Sequence, residues 1–168
     1  MASLPHPDPC DVKINCAVIT VSDTRTRETD KSGQLIQTLL TQAGYQIKQY
    51  LILPDEPGDI QTEVQRLCQL PDLDALILNG GTGIAPRDTT YDAIEGMLEK
   101  TLPGFGEIFR SLSYAEIGSR AVASRAVAGV CHRTLVFSLP GSSNAVKLAM
   151  EKLILPELTH LVTLLKSG

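Results

Sequence analysis

Apolar and polar positions along this chain alternate between short continuous apolar runs and stretches with helical spacing. Lys13 to Val21, rich in Val and Ile, reads as a buried strand. The polar loop Ser22 to Lys31 follows. Leu35, Ile36, Leu39, Leu40 and Ala43 then form one helical face, capped by Asp30 or Ser32 and stopped at Gly44. Ile47 to Leu53 is a second strand, closed by Pro54 and the polar run Asp55 to Gly58. Asp59 is positioned to cap a second helix with Ile60, Val64, Leu67 and Cys68 on one side. Ala75 to Leu78 is a short, wholly apolar strand that runs into Gly80.

Thr89 or Thr90 opens a third helix with Tyr91, Ile94, Met97 and Leu98 inward. Pro103 stands in the first turn of a fourth, whose inward face carries Phe105, Ile108, Phe109 and Leu112. The pattern leaves Ala121 to Cys131 open, although Val127 to Val130 can pair with Thr134 to Leu139 through a turn at His132-Arg133. Asn144 is placed to cap a long last helix that Pro156 should kink or divide. This order of elements predicts an α/β protein with helices on both faces of a mostly parallel sheet. Residues 1–12, proline-rich at the start, read as an arm, and residues 13–168 as one domain, a size that supplies a substantial core.

Composition narrows the function. Aromatic residues make up only 4% of the chain, without tryptophan, so stacking platforms for single-stranded nucleic acid are scarce. The net charge of -4 comes without a basic stripe, which argues against a nucleic-acid partner. No apolar run reaches membrane-spanning length and the first ten residues lack a secretory pattern, so no membrane and a cytoplasmic location are expected. Cys10, Cys16, Cys68 and Cys131 are too widely spaced for a disulfide scaffold or metal knuckle, and reduced cysteines are expected.

An acidic protein can still hold a phosphorylated ligand locally, and the stretch Ala75 to Asp88, ALILNGGTGIAPRD, is the place to look. Ligands of open α/β sheets sit at the carboxyl ends of the strands. Glycines allow the backbone to approach closely, and successive N–H groups followed by a helix start favour an anion. Gly80, Gly81, Thr82 and Gly83 are therefore candidate ligand-binding residues; a plain tight turn is the alternative. A Walker A loop is excluded because no Gly-Lys-Ser/Thr follows, and a dinucleotide fingerprint fails because Pro86 occupies its third glycine position.

Asp88 lies just beyond this turn and Asp55 just beyond another strand. If they share a rim, the pair suits a divalent cation and a phosphorylated substrate; otherwise both are solvated turn residues, with Asp88 as a helix cap. Ser22 and Asp23 end the first strand at the same rim. Arg25, Arg27, Arg87, Arg110, Arg120 and Arg125 are candidate phosphate ligands, and Ser113, Ser124 and Ser142 candidate hydrogen-bond donors. Pro140, Gly141 and Ser142 form a second glycine-bearing corner, either a plain capped turn or a second polar cradle. His6, His132 and His160 lack metal spacing and read as surface residues; Cys16 and Cys131 read as small core side chains.

These pieces have a familiar order. VSD at Val21 to Asp23, DKSG from Asp30 to Gly33 and PDE at Pro54 to Glu56 come first. NGGTG at Asn79 to Gly83, RDTT at Arg87 to Thr90 and PGFGEIFR at Pro103 to Arg110 follow, then SRAVAG at Ser124 to Gly129 and LPGS at Leu139 to Ser142. From about Ile14 to the last helix the chain resembles the MoaB/MogA family of molybdopterin-biosynthesis proteins. SYAEIG at Ser113 to Gly118 and the SRAVAG stretch look most like the MoaB branch. The resemblance implies a three-layer α/β/α domain with a mostly parallel mixed sheet, assembled as a homotrimer or a hexamer of two trimers. It implies binding of molybdopterin and its adenylylation with ATP and Mg2+, releasing pyrophosphate, before transfer to a MoeA-like molybdenum insertase. Asp55 and Asp88 match the family's two important acidic residues, as catalytic groups and Mg2+ contacts. Ser22, Asp23, Gly80, Gly81, Thr82, Gly83, Ser113, Ser124, Pro140, Gly141 and Ser142 are the expected ligand-binding set. A non-catalytic molybdopterin-binding or assembly protein is the alternative within the family, and a generic nucleotide-binding module the alternative outside it.

Overall fold

A computed structural model describes residues 11–168. The arm expected over residues 1–12, with His6 and Cys10, lies almost wholly outside the described residues.

Six strands form one sheet: β1 (Asn15–Val21), β2 (Gln46–Leu53), β3 (Ala75–Asn79), β4 (Lys100–Thr101), β5 (Val127–Cys131) and β6 (Thr134–Leu139). Their spatial order is β2-β1-β3-β6-β5-β4. The first four run parallel, whereas β5 is antiparallel to both β6 and β4. The reversal follows from the two-residue turn His132-Arg133, where His132 takes a positive φ of 54°. β4 was not legible beforehand: its two exposed residues carry no apolar signal and are held only by pairing with Val130 and Gly129.

Alternate residues of the strands feed two cores, as a pleated sheet covered on both faces requires. One face, with Cys16, Val18, Ile77 and Phe137, packs against α1 (Lys31–Gln42), α4 (Pro103–Ile117), α5 (Ser143–Ala149) and α6 (Leu155–Lys166). The other, with Ala17, Ile19, Leu76, Leu78 and Val136, packs against α2 (Pro57–Cys68) and α3 (Thr90–Glu95). The result is the expected three-layer α/β/α fold with a mixed sheet.

Local details depart from expectation where capping was read from residue type alone. Ser142, not Asn144, caps α5, its side chain accepting from the Ala145 N–H. The α2 start is set by Pro57 in its first turn, and Asp59 lies inside the helix rather than at its cap. Asp30 is the α1 cap, accepting from the Gly33 N–H. Ile108 is exposed, so the inward face of α4 is narrower than predicted. The last helix is divided as Pro156 suggested, by a π-helical turn over Met150–Ile154 that ends just before it. There the Leu155 N–H bonds the Met150 carbonyl, shifting the ladder by one residue ahead of a proline that has no N–H to offer.

Candidate functional site

Three strand ends converge at the glycine turn. Gly80 follows β3, with φ 97°, and a Cβ there would drive into the Val21 carbonyl at the end of β1. On its other side a Cβ on Gly141, just after β6, would lie 3.1 Å from the Gly80 Cα. Glycine at 80 therefore serves a positive φ and a close backbone approach together. Its N–H donates to the Leu139 carbonyl at 3.0 Å. The Gly80 N–H is thus engaged within the fold, which leaves the amides of Gly81, Thr82 and Gly83 as the candidate anion donors of this turn.

A cleft of about 500 Å3 opens above this convergence. Ser22, Gly80, Gly81, Thr82, Gly83, Ser124, Pro140 and Gly141 of the candidate ligand set line it, together with Asp88. Arg25 and Arg120 line it too, which singles them out from six candidate arginines, together with Thr24 and Ala123, which carried no signal in the sequence. Their side chains are short and their neighbourhood only becomes apparent once the 3₁₀ turn Gly118–Ala123 is folded over the strand ends. Two guanidinium groups reach the lining beside one carboxylate, and their N–H donors suit an anionic ligand.

The remaining candidates stand outside the lining. Asp55 is buried beneath the turn: its Oδ1 accepts from the Thr89 N–H at 3.2 Å and the Thr89 hydroxyl at 2.7 Å. Its other oxygen lies where a Cβ on Gly81 would come to within 2.5 Å. Asp55 thus fixes the start of α3 against the glycine turn. Asp88 is not the helix cap; Thr89 occupies that position. The Asp88 carboxylate instead approaches Gly83, where a Cβ would sit 2.6 Å from its Oδ2. Asp23 bonds outward, accepting from Arg87 at 2.9 and 3.0 Å and from the Asp55 N–H at 3.0 Å. The Arg87 hydrogen bonds, and then the Asp55 N–H, hold the Asp23 carboxyl below its ordinary range. Arg87 also bonds Glu56 at 2.6 Å, so it ties the ends of β1 and β2 to the loop after β3. Ser113 is buried on α4, and Ser142 is used as a cap.

Arg125 braces the far side of the turn. It donates to the Gly83 carbonyl at 3.2 Å and to Asp92 at 2.5 Å, with its guanidinium 4.3 Å from the Tyr91 ring centroid. Beneath the turn, Asn79 Oδ1 and Thr90 Oγ1 are buried without a hydrogen-bond partner among the described residues. Among the described residues no group of three or more His, Cys, Asp or Glu stands where it could hold a metal ion. A larger hollow, about 710 Å3, lies at the opposite end of the sheet, lined in part by Cys68, Asp74, Arg133 and Lys166. It lacks the glycine amides and lies away from the carboxyl ends of the four parallel strands.

The family described as "Probable molybdopterin binding domain" matches residues 17–160, a span that contains the glycine turn, both aspartates and both glycine corners. The chain belongs to the MoaB/MogA family of molybdopterin-binding proteins. It falls on the MoaB side, being 59% identical over 150 residues to "Molybdenum cofactor biosynthesis protein B" of Bacillus subtilis (strain 168), across 89% of this chain and 88% of that protein. A crystal structure of a molybdenum cofactor biosynthesis protein B superposes with a TM-score of 0.91 at 49% identity, covering 94% of this chain and 98% of the other. The tungsten cofactor synthesizing protein MoaB from Pyrococcus furiosus superposes with a TM-score of 0.83 at 35% identity, covering 94% and 99%. The general role of this family member is in molybdenum cofactor biosynthesis. Among the described residues, no helix is long and apolar enough to cross a membrane.

Proposed function

We propose that the cleft binds molybdopterin and that the chain adenylylates it with ATP, releasing pyrophosphate. The observation that carries this reading is the meeting, in one cleft, of the Gly81–Gly83 amides, Arg25, Arg120 and the Asp88 carboxylate. The amides and guanidinium groups are fixed donors for phosphate oxygens, and fixed donors need no reorganisation as negative charge builds up during transfer. A phosphate oxygen of molybdopterin attacks the α-phosphorus of ATP. The new P–O bond forms as the bond to the β-phosphate breaks, and pyrophosphate leaves with the electron pair. No side-chain nucleophile is required.

The donor set fits Mg2+ only as a nucleotide-borne ion. Asp88 is the carboxylate that reaches the cleft, and Mg2+ is commonly held by one or two carboxylates together with substrate phosphates. Asp88 would share it with the nucleotide, and the ion would supply charge compensation on the phosphate oxygens. Asp55 acts on the same site from below, by holding Thr89 and so the glycine turn and Asp88 in register.

Binding without transfer is the second reading, and the commitment of Asp55 to Thr89 favours it, since that oxygen is engaged before any ligand arrives. Supplying the purified chain with molybdopterin, ATP and Mg2+ separates the two. Adenylylated pterin and pyrophosphate in equal amounts support transfer, molybdopterin binding without either product supports the second reading, and neither binding nor product removes both. A homotrimer or hexamer, hand-over to a MoeA-like insertase and a cytoplasmic location belong to the same proposal. The exposed side chains of Ile108, Tyr114, Ile117 and Val122 on α4 and the 3₁₀ turn support the assembly.

A further inference from the structure

The polar loop between β1 and α1 contains a carboxylate with no access to solvent. Asp30 is completely buried, and an ionised carboxyl in such a place requires compensation by charge and hydrogen bonds. Its Oδ1 accepts from the Gly33 N–H at 3.0 Å, and its other oxygen accepts from the Tyr50 hydroxyl on β2. The paired cation is Arg25, with Nη1 3.6 Å from Asp30 Oδ1. The same guanidinium donates to Ser32 Oγ and to the Gly141 carbonyl, both at 3.2 Å, while Ser32 donates to that carbonyl at 2.6 Å. Arg25 is thereby held from behind by the loop, by α1 and by the second glycine corner. About a third of its side chain remains exposed, and it lines the cleft.

Arginine is suited to this double engagement because its planar head offers five N–H donors in fixed directions. A side chain already fixed in its binding geometry loses less conformational freedom when a ligand arrives. We propose that Arg25 selects the phosphate end of the ligand and that Asp30, which does not face the cleft, is its positioning residue. This rests on the reading of the cleft as a phosphorylated-pterin site. Arg120 approaches the same cleft from the 3₁₀ turn, and Asp88 is the carboxylate among the lining residues there.

The test measures binding of molybdopterin and of its dephosphorylated form to the full chain and to Arg25→Gln, Asp30→Asn and the double variant. Asparagine retains the helix cap, so Asp30→Asn removes charge without removing the acceptor for Gly33. The preference for the phosphorylated form should fall about 10- to 100-fold in Arg25→Gln, the range of one lost charge-assisted hydrogen bond. In Asp30→Asn it should fall about two- to fivefold, as for a partly exposed ion pair. The double variant should be no weaker than Arg25→Gln alone, because the second change acts through the first residue. An unchanged preference in Asp30→Asn, or losses that add, overturns the positioning role.

A second measurement needs no ligand. The Arg25 Nη resonances of 15N-labelled protein should be resolved in the wild type by restricted rotation and averaged in Asp30→Asn; identical spectra overturn the positioning role. If Asp30→Asn fails to fold, Ser32→Ala, which removes another anchor of Arg25, should show the same averaging. A wild-type chain that binds neither pterin form removes the reading of the cleft and Arg25's selecting role with it, while the resonances still decide whether Asp30 positions Arg25.

Discussion

Two glycines, two and four residues beyond the end of β3, make opposite demands on the site. Gly81 has a φ of 65°, and a Cβ there would strike Thr90 Oγ1 and approach Asp55 Oδ2. Gly81→Ala should therefore destabilise the fold, by about 1–3 kcal/mol for a strained backbone position, and thermal or urea unfolding measures it. Gly83 has no positive φ, but its Cβ would displace the Asp88 carboxylate. Gly83→Ala should leave the unfolding midpoint almost unchanged while lowering adenylylation, so a melt and a turnover assay on the same sample separate the two roles. The aspartates divide in the same way. Asp88→Asn should reduce turnover about 100-fold, the scale of one lost group stabilising transition-state charge, with little loss of stability. Asp55→Asn should cost about 1–3 kcal/mol of stability as well, because the Thr89 donors at this buried carboxylate lose a charged acceptor. Sequence pattern singled out both aspartates but did not separate them, since only the folded chain shows which one Thr89 claims.

Burial also leaves a signature at high pH. Cys16, buried in β1, has its thiol pushed up from 9.0 to about 12, first by desolvation and then by the nearby Asp74 carboxylate. A raised value means that stability is complete below the unfolded value and is lost as pH rises through the window from 9.0 to about 12. Tyr50 is raised from 10.0 by burial and by its hydrogen bond to Asp30, and adds to the same loss above pH 10. Stability should fall by about 1.4 kcal/mol per pH unit for Cys16 within its window, and by less for the solvent-screened Tyr50. Cys16→Ala should make the first part of this decline shallower in urea titrations between pH 8 and 10, with the buried thiols Cys68 and Cys131 accounting for what remains.

At the scale of elements, the site depends on how strands end and helices begin. The apolar run Ala75 to Leu78 announced β3, and the glycines after it announced a turn, because both signals are local. β4 was invisible because two polar residues in extended form depend on their neighbour for pairing. The α5 cap was misplaced by two residues because Ser142 and Asn144 are both good caps by type, and only backbone geometry chooses between them. Ser142→Ala should cost about 1 kcal/mol, measured by urea unfolding. It should also loosen the Gly141 corner against Gly80, since α5 begins immediately after it.

At the scale of the molecule, the sheet order places the ends of β1, β3 and β6 side by side, so loops distant in sequence form one cleft. The ordered motifs identified most of its lining in advance, because each motif marks the end of a strand. Arg25 and Arg120 could not be separated from four other arginines, because their selection depends on which loops cross the strand ends. Asp23, Ser113 and Ser142 look equivalent to the lining residues in sequence, yet Arg87, the α4 core and the α5 cap engage or bury them. The larger hollow at the opposite end of the sheet gives the central claim a direct contest. Molybdopterin titrated into 15N-labelled protein, with backbone amide shifts recorded residue by residue, should move Gly81, Thr82, Gly83, Ser124 and Gly141 most. Shifts concentrated instead at Gln69, Asp74, Arg133 and Lys166, with the glycine turn unmoved, would contradict it.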